Sequence, residues 1–234
     1  MRFIAGLLLL CGLNAHAASM LELRYQDQDP GSEPYLTRIL ISDRFVRLDG
    51  GEDSGDFVLY DRKSRQVVNV LHDQKILMRM HNRPLPRTRP QDYKLDVKTV
   101  SVKIGTLRVQ VLADGKLCSE TVLARTMLPG AARAMAEYKS ALAYTQLQTY
   151  LNTPADLRQT CDLVHHVWDG GRALKYGLPI EERDYEGRIR QFSGSAKKRL
   201  NPALFKLPKG YVTMQPPEGD QTAPSVQPSP VQTK

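Results

Sequence analysis

From residue 21 to about residue 124 the chain is a succession of short β-type runs, each closed off by turn residues. The runs fall at 21–25, 35–41, 44–48, 57–60, 66–71, 76–80, 93–104, 107–112 and 116–124. Between them stand Ser42-Asp43, Asp49-Gly50-Gly51, Asp61-Arg62-Lys63-Ser64, His72-Asp73-Gln74 and Asp114-Gly115, the residue types that close tight turns. Connections this short leave no room for a crossover and predict an antiparallel meander. Leu21, Leu23 and Tyr25 alternate with Glu22 and Arg24, the pattern of a strand with one buried face. By contrast Val67-Val68-Asn69-Val70-Leu71 is apolar on both faces. Pro84, Pro86 and Pro90 remove ladder donors, so 81–90 is expected as an extended loop.

The period changes after Pro129. Ala131, Met135, Tyr138, Leu142, Thr145 and Thr149 recur at helical spacing, and Asn152 ends that helix. A second helix is expected to start at Thr153-Pro154, with Thr153 as cap, Pro154 in the first turn and Asp156 at the positive end of the dipole. Leu157, Cys161, Val164 and Trp168 would form its apolar stripe, with His165 beside the stripe, His166 exposed and Gly170-Gly171 as the stop. Strands return at 173–183 and 187–192, turning near Tyr185-Glu186-Gly187, with a last extended piece at 204–211. This order predicts an α+β fold in which a curved antiparallel sheet, an unclosed barrel, is covered on one face by two helices.

The first segment has the marks of an export signal. Arg2 precedes an almost wholly apolar run from Phe3 to Leu13, and Ala15-His16-Ala17 places small residues where a signal peptidase reads, so cleavage is expected between Ala17 and Ala18. The run is shorter than the ~20 residues of a spanning helix. Leu10 before Cys11 is too large for lipid modification, and no later stretch suits a membrane span. Residues 18–214 are then one domain, and 215–234, rich in Pro, Gln, Ser and Thr, an extension too polar to fold. Losing Arg2 takes the net charge from +8 to +7. The cations are scattered, as in Arg62-Lys63-Ser64-Arg65 and Lys197-Lys198-Arg199, which suits solvated turns or an anionic partner such as a lipid head group or polysaccharide. Nucleic acid is not expected as a partner of an exported chain. The expected location is the periplasm, and the expected state a soluble monomer.

Removal of Cys11 leaves Cys118 and Cys161, an even pair in an oxidising compartment, which favours a disulfide. The alternative is a metal site built on Cys161, His165 and His166, but it lacks a second cysteine pair or clustered carboxylates. No metal and no cofactor is expected.

The run 38–49, followed by Phe57-Val58-Leu59-Tyr60-Asp61 and Val67-Val68-Asn69-Val70, resembles an uncharacterised family of exported bacterial domains. Tyr176-Gly177-Leu178-Pro179-Ile180 and the ending 201–211, from Asn201 to Tyr211, support it. The layout is similar to the periplasmic lipoprotein carriers and their outer-membrane receptors. That resemblance implies a half-barrel around an apolar cavity under a helical cover, and it spans most of residues 20–214. The chain has no anchoring cysteine at the expected mature start, unlike a receptor, and it adds the Cys118/Cys161 pair.

Ile76, Met78 and Met80 on a strand, with Met135, Tyr138, Leu142 and Trp168 on the helices, are the candidate lining of such a cavity, since Met adapts to varied apolar ligands. Periodicity does not separate this from the favoured alternative, that the same groups fill a dry core. No Gly-x-Ser-x-Gly elbow, His-Glu-x-x-His or phosphate loop occurs, and Gly50 to Asp56 lacks calcium-loop spacing. Glu181-Glu182 and Asp184/Glu186 are close in sequence, yet a hydrolytic carboxylate pair must face across a cleft. The expectation is a non-enzymatic periplasmic protein that binds a lipid or lipoprotein acyl chain. The alternative is an envelope interaction or structural protein with a filled core and a protein partner.

Overall fold

A computed structural model describes residues 18–218. The expected signal segment and residues 219–234 of the extension lie outside the described residues. The elements are β1 (Ser19–Gln28), β2 (Tyr35–Ile41), β3 (Phe45–Asp49), β4 (Phe57–Asp61), β5 (Gln66–Leu71), β6 (Ile76–Arg79), β7 (Leu95–Lys103), β8 (Thr106–Ala113) and β9 (Lys116–Ala124). Helix α1 (Pro129–Asn152) and the short α2 (Thr160–Asp162) follow, the latter running into a π-helical stretch, Leu163–Trp168. The described chain closes with β10 (Leu178–Asp184), β11 (Ile189–Arg199) and β12 (Val212–Met214).

All of these strands join one sheet in the order β12-β6-β5-β4-β3-β2-β1-β11-β10-β9-β8-β7. Every pairing is antiparallel except β12 with β6. The tight turns build two meanders, β1–β6 and β7–β9, and the β10–β11 hairpin joins them. Register shifts at Arg24/Tyr25 and Pro179/Glu181 mark where the sheet bends, because an extra residue on one strand raises the local twist. The result is the expected α+β architecture: a curved, unclosed sheet with helices on one face.

Leu23, Tyr25, Ile39, Ile41, Val46, Tyr60 and Val67 point toward α1 and pack on Ala131, Ala134, Met135 and Ala141. Alanine on that helix face lets the backbone approach the sheet closely. The opposite face is buried too. Leu40, Phe57, Leu59, Val68, Val70 and Leu77 pack under Leu204 and Phe205 of the C-terminal segment. The two-sided apolar run in β5 is therefore a strand between two layers. Beneath β8 and β9, Cys118 and Cys161 are joined by a disulfide with Cα atoms 5.1 Å apart, surrounded by Val109, Val111, Leu123 and Val164.

The second helix differs from expectation. Thr153 ends α1 by donating its N–H back to Thr149 and Tyr150, and Ala155–Leu157 is a single 3-10 turn. Arg158 bonds the carbonyls of Leu151 and Thr153, and its own backbone is extended. The helix starts at Thr160, where Gln159 and Asp162 form a reciprocal cap. Leu157 is left 62 % exposed, outside the stripe that Cys161 and Val164 do form. The C-terminal piece also differs: Pro202–Phe205 is a 3-10 turn capped by Asn201, and the extended strand comes later, at Val212–Met214. The strand expected over 187–192 runs on to Arg199.

Candidate functional site

A hollow of about 230 Å³ opens between α1, the π-helical stretch and the β10–β11 hairpin. Helix α1 contributes Tyr138, Lys139, Leu142 and Gln146, which recur at helical spacing along one side of it. Glu182 and Asp184 alternate out of β10, and Arg188 and Arg190 enter from the start of the paired strand, where Glu182 stands opposite Arg190. Leu48 of β3 completes the lining. From the π-helical stretch both His165 and His166 face in, their rings edge to face at 4.7 Å. A π turn takes more residues per turn than an α turn, and such turns are frequent at functional sites.

One wall is rigid. Asp27, fully buried on β1, accepts from Arg190 Nε at 2.7 Å and Nη2 at 2.6 Å, from Arg188 Nη2 at 3.0 Å and from Thr37 Oγ1 at 2.8 Å. Burial alone would raise the Asp27 carboxyl, but these partners hold it below the usual range. Below the histidines Tyr185 donates its hydroxyl to Asp162, and burial with that carboxylate pushes the phenol far above its ordinary value.

The other wall is loosely joined. Glu182 Oε1 lies 3.6 Å from Lys139 Nζ and 3.9 Å from His165 Nε2, both beyond hydrogen-bond length. Burial opposes the Glu182 charge, yet Lys139, His165, Arg190 and Arg188 outweigh it and hold the carboxyl down at about 2. Burial, with Lys139 nearby, lowers His165 to about 3. His166 is lowered for the same two reasons. At neutral pH the wall is therefore a carboxylate, an ammonium and neutral imidazoles, converging on a gap.

Of the residues singled out in the sequence, Tyr138 and Leu142 line this hollow. Met80 and Met135 are buried in the core under α1, and Met78 packs against it. Ile76 is half-buried on β6, between β5 and β12. Trp168 sits apart, beside Leu147, Tyr150, Leu163 and Val167, at a second hollow with Leu85 and Arg83. Cys161 is committed to the disulfide and has no thiolate to offer a metal, which removes it from the alternative set with His165 and His166. Lys139, Glu182, Asp184, Arg188 and Arg190 were not among the expected site residues. For the four on the hairpin the one signal in the sequence is charge repeated at period two around a turn, which an exposed hairpin would show equally; Lys139 reads as an ordinary polar position of α1.

Among the described residues no helix is long and apolar enough to cross a membrane. No protein-family model matches the chain, and no curated protein matches it. Two crystal forms of PNGF-II are similar to it, with TM-scores of 0.41 and identities of 13% and 12%. They are covered over 31% and 32% of their length by 85% of this chain, which thus spans about a third of PNGF-II. The LolA superfamily protein NE2245 from Nitrosomonas europaea is similar at a TM-score of 0.30 and 9% identity, covering 82% of this chain and 91% of that one.

Proposed function

We propose that the protein is a non-enzymatic binding protein of the bacterial envelope that takes a small, hydroxyl-bearing polar molecule into the hollow beneath α1. The observation that carries this reading is the gap at Glu182. A carboxylate, an ammonium and an imidazole nitrogen converge without touching, and a hydroxyl placed among them donates to Glu182 while accepting from Lys139 or His165. Lys139, Arg188 and Arg190 face Glu182, Asp184 and Asp27, so the formal charges balance and favour a neutral or zwitterionic ligand. Tyr138, Leu142 and Leu48 supply an apolar side. A volume of about 230 Å³ is below the ~300–1,000 Å³ typical of drug-sized ligands, and suits a molecule the size of a monosaccharide or an amino acid.

The binding reading is favoured over an enzymatic one by the same electrostatics. General acid–base catalysis works best with a group that titrates near the working pH, whereas His165 at about 3 and Glu182 at about 2 hold fixed protonation states around neutrality. The disulfide suits an oxidising compartment such as the periplasm. An acyl chain needs a long apolar wall. Here Met80 and Met135 are packed into the core and most residues lining the hollow carry a charged or polar end, which favours the polar ligand.

Native mass spectrometry of protein purified from periplasm tests the reading. A small polar adduct is expected on the wild type, reduced at least tenfold in occupancy by Glu182→Gln at a temperature where the ligand-free variant is still folded by circular dichroism. Co-purifying phospholipid that survives Glu182→Gln would replace the polar ligand with an acyl chain.

A further inference from the structure

Among the described residues strand β7 is the free edge opposite β12, and its far end carries apolar side chains into solvent. Every residue from Lys98 to Gly105 is exposed. Within that stretch Val100 is 57 % exposed, Val102 48 %, and Ile104, at the turn into β8, entirely so. The neighbouring residues on the return strand, Thr106 and Val109, are buried, so the covered part of the sheet ends where this apolar tip begins.

Cations surround the tip. Lys98 and Lys103 lie on β7 itself, and Arg108 stands opposite Val100 across the ladder. Arg125 is brought alongside because its N–H donates to the Gly105 carbonyl at 2.9 Å. Among the described residues Lys98, Lys103 and Arg125 have no ion-pair partner, while Arg108 is 3.6 Å from Glu120. Scattered apolar side chains on a surface need no explanation; three alternate ones at a protruding turn, beside four cations of which three have no ion-pair partner among the described residues, do.

We propose that the β7–β8 tip is a membrane-surface anchor for an anionic bilayer: Ile104, with Val100 and Val102, enters the interfacial layer while Lys98, Lys103, Arg108 and Arg125 meet lipid phosphates. Each half supplies what the other lacks. Short apolar insertions alone bind bilayers weakly, and cations near an anionic surface add attraction that salt weakens. A second copy of the chain fits less well, since two such tips brought together set four cations against the same four. The anchor rests on the hairpin alone and is independent of the ligand proposed for the hollow.

Cosedimentation of the exported protein with vesicles tests it. Vesicles of phosphatidylcholine with phosphatidylglycerol are expected to retain the protein at low salt, at least tenfold more than phosphatidylcholine alone, with retention falling as salt is added. Ile104→Asp and, separately, Lys103→Glu are each expected to cut retention about tenfold without moving the thermal midpoint, since both residues are exposed. Absence of retention on the anionic vesicles overturns the proposal, as does retention that Ile104→Asp leaves intact. A dimer in light scattering that Ile104→Asp dissolves, with no vesicle binding, overturns it in favour of pairing between copies.

Discussion

At the scale of single residues the unusual expense of this fold is its buried charge near α1. His165, lowered to about 3, has an ordinary value of 6.5 in the unfolded chain. Between those limits the unfolded chain binds a proton that the folded one refuses, so stability falls as pH decreases from about 6.5 toward 3. Glu182 acts with the same sign lower down: its folded carboxyl at about 2 lies under the ordinary 4.5, and its contribution, present above 4.5, is lost as pH falls toward 2. His165→Asn removes the upper limb. The thermal midpoint of the wild type is expected to drop more between pH 7 and pH 5 than that of the variant. The difference corresponds to a stability change on the order of 2 kcal/mol, given 1.36 kcal/mol per pH unit for one differentially bound proton. Circular-dichroism melts at those two pH values measure it, and parallel pH dependences for the two proteins would refute the assignment.

Among elements, the disulfide ties the shortest helix to the sheet. Residues 160–162 make too little helix to stand alone, and the π-helical stretch after it gives up the regular i to i−4 ladder. Cys118 on β9 and Cys161 enclose a sequence separation of 43 residues, for which the chain-entropy model gives about 4 kcal/mol. Reduction, or the Cys118→Ala/Cys161→Ala double variant, is expected to lower the midpoint by on the order of 10 °C in calorimetry. Because the bridge anchors the stretch bearing His165 and His166, ligand occupancy of the hollow should fall with it. The strands of the two meanders were legible because turn residues and two-residue alternation are local signals. Helix α1 was legible for the same reason. The start of the second helix was not: Thr153-Pro154-Ala155-Asp156 reads as a helix opening, but it makes only a single 3-10 turn before Arg158, which reaches back to two carbonyls of the preceding helix end and is itself extended, as is Gln159. A long-reach side chain overrides a cap signal, and periodicity has no means of registering it.

Over the whole molecule the sheet is a middle layer, and this is where local reading stopped. Residues 66–71 showed both faces apolar, yet what covered the second face lay far away in the chain, in a segment whose own pattern looked merely extended. The candidate site was hidden in the same way: Lys139, His165 and Glu182 belong to α1, the π-helical stretch and β10, and only the β10–β9 pairing and the packing of α1 bring them together. The C-terminal cover can be tested directly. Phe205 is buried and stacks on Phe45 with ring centroids 5.8 Å apart, and the carbonyl of Leu204 accepts from Arg47 Nη1 at 2.8 Å. Arg47 is itself buried, bonded to Asp49 and to the Asp53 carbonyl, with its guanidinium 4.0 Å over the Phe57 ring. Ending the chain after Leu200 strips one acceptor from that buried cation and bares Leu40, Phe57, Leu59 and Val68, so aggregation on expression is expected. Phe205→Ala is the milder variant: it is expected to remain folded and lose about 3 kcal/mol in urea titration, the lower end for a buried Phe because the site is near the surface. A loss under about 1 kcal/mol would make residues 202–205 a loose flap, and the sheet a single-sided one.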